Sequence, residues 1–568
     1  MKIKILVISI IIVFSSLIVA QTGGHDQYGI FAPKDAYLNG SKFPYYGSEN
    51  AWNRRMFTKK RADKFYKRRG QREMLMILDG KLNEAVKTCR SYVKKYPDDL
   101  ESMFVLTVAL TQQGKINEAY AEMLNTIKAG MSFSRFLSGP RNLLKPLYKS
   151  SKFKSYYKKH PIEILEGPMI GAVTGNSAKF WVRTFHQVPV TVYIYSKKSS
   201  NKSIGKFTST TNATDDYTGV ITVKNLKPDS KYYYDVFVKN KFVFGKQKPS
   251  FNTFYKRGNN VKFSIGFGGG AGYIPKHEYI WNTINSFKLS AMLLLGDNVY
   301  IDVPGMPNAV HYYTYYRRES QPYFKNLVKQ TPIFTIWDDH DAAFDDIWLG
   351  PYVDKPAWKQ PMLNVFREQW ANPGYGTKKT PGVWYKFYNG NVEFFMLDCR
   401  TYRTDPFAPN PSMIGPVQKK WLFKELKKSK AVFKVIVSSV PWAFGAKPGS
   451  HDPWLGFPAE REQIFSYIAD NKVNGVILVS ADRHRSDAWI IDRKKGYNLY
   501  EFESSKLTNM HTHHIMPGSI FGYNKTCSFG ILDFDTTVND PKVRYRIVNI
   551  DGEIMNSIMI RKSELEVK

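Results

Sequence analysis

Six short runs of uninterrupted apolar residues constrain this chain most, among them AMLLL (Ala291–Leu295), PIFTIW (Pro332–Trp337), VEFFML (Val392–Leu397) and GVILVSA (Gly475–Ala481). Runs this short, without polar alternation, suit strands covered on both faces. Helical patterns such as PVQKKWLFKELKKS and REQIFSYIADN fall between them, so residues 257–568 are predicted to form an α/β layered domain. Four of the runs end in acids. The first enters Gly296, Asp297, Asn298, Val299 and Tyr300; the second Asp338, Asp339, His340 and Asp341; the third Asp398 and Arg400; the fourth Asp482, Arg483 and His484. Working groups of open α/β sheets gather at strand ends. One acid there is an ordinary cap. Four strands delivering acids to one edge must protonate them or hold cations, because packed carboxylates repel and a desolvated anion without a partner is costly. Asp with His and Tyr is a ligand set for hard metal ions.

The first twenty residues, with Lys2 and Lys4 ahead of ILVISIIIVFSSLIVA and a small residue at Ala20, read as a signal peptide (1–20), an uncleaved anchor being the alternative. GKLNEAV at Gly80 and GKINEAY at Gly114 recur 34 residues apart, the tetratricopeptide period, within a helical segment assigned to 55–160. Two repeats are fewer than a free-standing array needs, so the segment is expected to dock on a neighbour as a spacer. From Gly167 the period falls to two in SAKFWVRT, VTVYIYS and YYYDVFV. LKPDSKYYY (Leu226–Tyr234) resembles the Leu-x-Pro-x-x-x-Tyr corner of fibronectin type III folds, so residues 165–255 are expected to be an all-β sandwich of that kind. The predicted fold is therefore multidomain, with a helical repeat segment, a fibronectin-like sandwich and an α/β layered domain.

A hydrophobic content of 43% excludes a disordered chain. The balance of 82 Lys and Arg against 49 Asp and Glu, a formal charge of +33, would hold the protein near anionic polymers or lipids. Much of it lies in NRRMFTKKRADKFYKRR (Asn53–Arg69) and KPLYKSSKFKSYYKKH (Lys145–His160), each read as a solvated helix face. Neither contains a base-reading module, so no sequence-specific nucleic-acid binding is expected. Cys89, Cys399 and Cys527, odd in number and far apart, are read as buried small hydrophobes.

LLLGDNVYID, IWDDHDAAFDD, MLDCRTYRTD, MIGPVQKKWL and LVSADRHRSD, in this order and after GPMIGAVTGNSAKFWVRT, resemble the alkaline phosphatase D (PhoD-like) family of calcineurin-like metallophosphoesterases. The resemblance implies a two-metal phosphoesterase using iron and calcium. By position it makes Asp297 a bridging carboxylate, Tyr300 a phenolate ligand of iron, Asp339 a ligand of the second metal, and Asp482 and His484 further ligands. Asp338, from the same strand-end cluster, is grouped with the metal ligands. His340 matches a catalytic position near the leaving group, and Arg400 fits a catalytic, phosphate-binding role. Where the family has a Ser-Cys pair with an iron-binding thiolate, IGFGGGAGY puts Gly269 or Gly270, so an oxygen and imidazole site could select another divalent metal. GFGGGAG is also weighed as a backbone cradle for phosphate. Asp302 and Asp345 are read as second-layer groups or extra cation ligands, and NMHTHH (Asn509–His514) as a histidine-rich surface loop.

These features predict an exported, metal-dependent phosphoric monoester or diester hydrolase, periplasmic or extracellular and held near the envelope. Metal-activated hydroxide would attack phosphorus directly, a His would protonate the leaving alkoxide, and an Arg would hold two phosphoryl oxygens. Expected substrates are small phosphate esters, anionic polymers or lipids, and the repeat segment would offer a surface to a protein partner. One rival is a catalytically degenerate phosphatase-like binding protein attached to envelope partners by its repeats and basic surface, which the missing Cys favours. The other keeps an enzyme but turns it to nucleotides or nucleic acid, without a stacking module to support it.

Overall fold

The computed structural model describes residue 57, residues 59–64 and residues 66–567; the segment read as a signal peptide lies outside the described residues. The helical part comprises α1 (Lys59–Lys64), α2 (Arg69–Leu78), α3 (Leu82–Lys95), α4 (Leu100–Gln112), α5 (Ile116–Lys128), α6 (Phe133–Ser138), α7 (Arg141–Lys149) and α8 (Ser151–Lys159). The two matched Gly-Lys pairs end α2 and α4 in the same way. Gly80 and Gly114 take φ of 73° and 76°, which glycine reaches without a steric cost. Lys81 N–H then donates to Met76 C=O at 2.8 Å, and Lys115 N–H to Leu110 C=O at 3.0 Å, satisfying carbonyls that a helix end would leave bare. The repeat in the sequence is thus a repeated helix stop, joining α2 to α3 and α4 to α5.

Next come β1 (Ile164–Gly171), β2 (Ala178–Thr184), β3 (Pro189–Tyr195), β4 (Gly205–Thr210), β5 (Thr218–Val223), β6 (Lys231–Val238), β7 (Lys241–Phe242) and β8 (Ser250–Asn252). β3, β4, β6, β7 and β8 form one sheet, which packs on β2 through Phe180, 4.7 Å from Tyr234 and 5.5 Å from Phe251 between ring centroids. The Tyr232 hydroxyl accepts from Lys227 N–H at 2.9 Å, the tie implied by the Leu226–Tyr234 motif.

The α/β part supplies β9 (Lys262–Gly268), β10 (Met292–Leu295), β11 (Ile333–Ile336), β12 (Tyr385–Asn389), β13 (Val392–Met396), β14 (Phe433–Val437), β15 (Val476–Ser480), β16 (Ser486–Ile491), β17 (Leu499–Ser504), β18 (Phe521–Tyr523), β19 (Ser528–Asp535), β20 (Lys542–Asn549) and β21 (Ile554–Arg561). Between them run α9 (Ile280–Ser286), α10 (Ala309–Glu319), α11 (Pro322–Val328), α12 (Asp339–Ala342), α13 (Lys359–Gln369), α14 (Gly415–Lys428) and α15 (Pro458–Asp470). One sheet is ordered β21-β20-β19-β9-β10-β11-β1-β2-β5 and the other β12-β13-β14-β15-β17-β16-β18. Every residue of β10, β11, β13, β14 and β15 is buried, which is why their runs show no alternation. The sheets meet across an aromatic layer: Phe394 and Phe433 lie 6.0 and 5.7 Å from Phe534, and Phe502 lies 4.6 Å from Tyr545.

The predicted sandwich does not stand apart. β1 pairs in parallel with β11 at Gly171 and Ile333, so β1, β2 and β5 extend the larger sheet and close an edge that would otherwise be open. The helical segment is docked as well. Phe104 on α4 stacks 6.3 Å from Tyr313 on α10, whose hydroxyl donates to Glu101 at 2.7 Å. Of the two basic runs, the second is a solvated face, with Lys152, Lys154, Lys158 and Lys159 exposed. In the first, Lys59, Lys60 and Lys64 are exposed, but Lys67, Arg68 and Arg69 are only 7%, 3% and 6% exposed, Lys67 and Arg68 meeting Tyr300 and Asp302 of the α/β part and Arg69 pairing with Asp99 of the helical part. Cys89, Cys399 and Cys527 are buried free thiols.

Candidate metal centre

β10 ends in a tight turn, with Gly296 and Asp297 at φ of 100° and 51°. A Cβ on Gly296 would stand 2.4 Å from the Asp338 Cβ, so glycine is what lets the turns after β10 and β11 approach. Asp297, Asp339 and His340 each bring one donor atom within 4.8 Å of the others, and Asp339 belongs to a second such group with Asp345 and Asp346. Asp341 has a different task. It accepts the Asp338 and Val299 N–H groups at 3.0 and 3.1 Å, bracing the two turns against each other.

His340 Nδ1 is ion-paired with Asp302, and its Nε2 lies 3.5 Å from Asp345. Burial alone would depress this imidazole, but Asp339, Asp297 and Asp345 outweigh it and lift its pKa to about 9. Burial drives Asp297 well above the carboxylate range; His340 opposes that shift, while Asp339 and Asp338 add to it. The Tyr300 hydroxyl donates to Asp297 Oδ2 at 2.7 Å and accepts from Asn509 Nδ2 at 2.6 Å. Burial, reinforced by Asp297, holds that phenol well above its usual range.

Arg400 and Asp338 sit deeper. Arg400 Nε donates to Asp338 Oδ1 at 2.5 Å, and its terminal nitrogens reach the two Asp452 oxygens at 2.6 and 3.3 Å. Ser439 also donates to Asp338 at 2.7 Å. Arg400 is 0% exposed, so the fork expected to hold phosphate is already closed on carboxylates. Asp338, grouped with the metal ligands from the sequence, is lifted to about 7 by burial against the opposing pull of Arg400. Asp452 was not singled out in the sequence, nor was Lys447, whose Nζ lies 3.2 Å from Asp452, 3.3 Å from Asp346 and 3.5 Å from Asp482. Both come from the loop after β14, a strand that ends in serines and so lacks the terminal acid that marks the others.

Asp482 and His484, after β15, stand outside the two donor groups around Asp339. Asp297 Oδ1 and His484 Nδ1 are buried without a hydrogen-bond partner, and Asp482 Oδ2 has the Lys447 ammonium at 3.5 Å but no closer donor. Buried acceptors left this way, in a cluster whose carboxylates are pushed towards neutrality, fit divalent cations with oxygen and imidazole ligands. At the thiolate's expected position, a Cβ on Gly270 would meet His484 Nδ1 at 3.0 Å, and one on Gly269 would meet Ala481 Cβ at 2.8 Å. The glycine run is no phosphate cradle, since the N–H groups of Gly269, Gly270 and Ala271 donate to the carbonyls of Ser504, Gly296 and Asp297 at 3.1, 3.4 and 2.8 Å. The histidine tract is more than a surface loop: the rings of His511 and His513 lie 5.3 and 5.6 Å from that of His484.

Comparison with known proteins agrees with this architecture. The PhoD-like phosphatase family matches residues 266–554, and a domain of unknown function (DUF7800) matches residues 162–255. Alkaline phosphatase D of Bacillus subtilis (strain 168) is 27% identical over 188 residues, 27% of this chain and only 31% of that relative's length. A solved structure of PhoD superposes with a TM-score of 0.59 at 18% identity, covering 70% of this chain and 91% of that one. Purple acid phosphatase PPD1 from yellow lupin (Lupinus luteus) seeds superposes with a TM-score of 0.50 at 13% identity, covering 70% and 75%. At these identities the two structures speak for the fold.

Proposed function

Because the chain belongs to the PhoD-like phosphatase family, we propose that it is a metal-dependent phosphoric ester hydrolase whose centre is built from Asp297, Tyr300, Asp339, His340, Asp482 and His484. The observation that carries this is the pair of donor groups sharing Asp339, at the ends of two adjacent strands. Asp297, Asp339 and Tyr300 would hold one side of the centre, and Asp482 and His484, the latter with its unpartnered Nδ1, the other. Cations bound there would supply an acidified water and an electrostatic clamp on the phosphoryl oxygens. With no thiolate at Gly269 or Gly270, manganese or zinc becomes as reasonable an occupant as the iron and calcium of the resemblance.

His340 is assigned the proton donor's part. Asp302 holds Nδ1, which leaves Nε2 to carry the transferable proton. As water attacks phosphorus and the ester P–O bond breaks, the leaving oxygen takes that proton. Arg400 is assigned a positioning part. Fixed between Asp338 and Asp452, it balances the acids beneath the centre and ties the turns after β11 and β13 to the loop after β14. We also propose export to the envelope or beyond, for which the apolar N-terminal stretch is the support.

The experiment is elemental mass spectrometry on the purified protein together with hydrolysis of bis-p-nitrophenyl phosphate, beside an Asp297→Asn control. About two bound metals and turnover that the control loses support a hydrolase. A metal-free protein, inactive after iron, calcium, manganese or zinc is added back, favours the degenerate binding protein.

A further inference from the structure

Two residues from outside the family-matched chain stand at this centre. Lys67 and Arg68 belong to the turn before α2, whereas the matched domains begin at residue 162. The Lys67 ammonium lies 3.3 Å from the centroid of the Tyr300 ring and 3.5 Å from Asn509 Oδ1. Both neighbours converge on one spot, since Asn509 and Asp297 are the hydrogen-bond partners of the Tyr300 hydroxyl. The Lys67 stem passes so near Gly272 that a Cβ there would stand 3.1 Å from Lys67 Cδ and 3.2 Å from the Tyr300 ring. Arg68 Nη1 pairs with Asp302 Oδ2, while Asp302 Oδ1 holds His340 Nδ1.

The turn is fixed where it lies. Arg317 donates to the Lys67 carbonyl at 3.1 Å, Gln71 donates to the Ile301 carbonyl at 3.2 Å, and Arg69 pairs with Asp99 at 2.9 Å. Burying three consecutive basic side chains is costly unless each has a task that offsets the lost hydration. Arg69 finds its counter-ion inside the helical segment, at Asp99, whereas Lys67 and Arg68 reach across to Tyr300 and Asp302 at the acidic centre. With the Arg400 fork closed on Asp338 and Asp452, Lys67 is a side-chain cation placed to meet a phosphoryl oxygen beside the metal clamp.

Resting on the hydrolase reading above, we infer that the helical segment completes the site, Lys67 binding a non-bridging phosphoryl oxygen and Arg68 positioning His340 through Asp302. An ammonium on a four-carbon stem can swing from an aromatic face to an incoming oxyanion without moving the backbone. The contact it leaves is weaker than the charge-assisted hydrogen bond it gains. A monoester presents two negative charges where a diester presents one, so Lys67 acts more strongly on monoesters. The substrate class it favours is a terminal phosphate.

The test uses the full metal-loaded protein with p-nitrophenyl phosphate, bis-p-nitrophenyl phosphate and inorganic phosphate. Lys67→Met keeps the stem, and Lys67→Gln repeats the test with a polar one; melting and metal content serve as fold controls. Lys67→Met is expected to raise KM for the monoester about tenfold, with a smaller rise for the diester, and to weaken inorganic phosphate in calorimetry by a similar factor, while Lys67→Arg recovers most of it. Arg68→Gln is expected to lower kcat with KM held, and Arg68→Lys to recover part. Inorganic phosphate that binds wild type and Lys67→Met equally, absence of binding by both included, overturns the Lys67 assignment whatever the turnover assay says. Equal losses on both esters overturn the monoester preference, and an unchanged kcat in Arg68→Gln overturns the positioning part. A wild type no more active than Asp297→Asn would instead refute the hydrolase reading, and phosphate binding would still decide Lys67.

Discussion

Asp302 holds two cationic side chains with its two oxygens, Arg68 on Oδ2 and His340 Nδ1 on Oδ1. The carboxylate is fully buried and stands in the left-handed region at φ 57°, so the turn after β10 is shaped to present it. Asp302→Asn removes the charge and keeps the shape. Its kcat should fall about 10- to 100-fold, the usual cost of losing a partner that orients a working imidazole. Bound metal, measured by elemental mass spectrometry, should stay at the wild-type level. Loss of metal in this variant would make Asp302 a ligand rather than a support.

Removing or supplying the metal should register in stability as well as in rate. Burial leaves Asp346 lifted to about 8 and Asp338 to about 7, the behaviour of carboxylates that cations would relieve. A divalent ion at one hundred times its dissociation constant should therefore stabilise the fold by about 2.7 kcal/mol. A chelator should lower the melting temperature accordingly. Asp297→Asn should blunt the response to added metal and lower turnover by about 10²-fold or more. The ion giving the largest thermal shift identifies the one that the centre without a thiolate selects.

Strand interiors were easy to recognise in the sequence, and so were the acids that end them, because burial on both faces leaves an uninterrupted apolar run and the strand end leaves a polar break. Asp297, Asp339 and His340 were found that way, and they do come together. Arg400 was recognised as a residue but not for its surroundings. That Asp452 closes on it depends on a loop whose return to the centre has no periodicity to betray it. Lys67 and Arg68 were hidden for a sharper reason: a basic run reads as solvated unless the groups that receive it are known, and Tyr300 and Asp302 lie more than two hundred residues away in the chain. The join between β1 and β11 was hidden too, since pairing between distant strands leaves no mark in either one.

Restoring a side chain at the glycine run should harm the protein rather than repair it. Gly270 takes φ of 69°, and a Cβ there would meet His484 Nδ1 at 3.0 Å and the Lys506 nitrogen at 3.2 Å. Left-handed backbone alone costs a residue with a Cβ about 1–2 kcal/mol. Gly270→Ala should thus lose at least about 1 kcal/mol in denaturant unfolding, and Gly270→Cys should lose as much without raising bound iron. An iron-rich, fully stable Gly270→Cys protein would mean that the loop keeps the shape needed for a thiolate.

His311, which the catalytic proposal does not use, makes stability depend on pH. It is fully buried at the start of α10, accepting the Asn308 N–H on Nδ1 and donating from Nε2 to the Val303 carbonyl, each at 3.0 Å. The bond accepted on Nδ1 needs the neutral ring, and burial, outweighing the backbone groups, depresses its pKa from 6.5 to about 4. Between those values the unfolded chain binds more protons than the folded one, so stability rises with pH across the window, is complete above the unfolded pKa, and drains away as pH falls towards 4. This one residue should cost about 2 kcal/mol between pH 7 and pH 5. His311→Gln can keep one donor and one acceptor without a titrating ring, and its unfolding free energy should fall correspondingly less over the same interval. Parallel pH profiles for the two proteins, measured by urea unfolding, would mean that acid reaches the fold by another route.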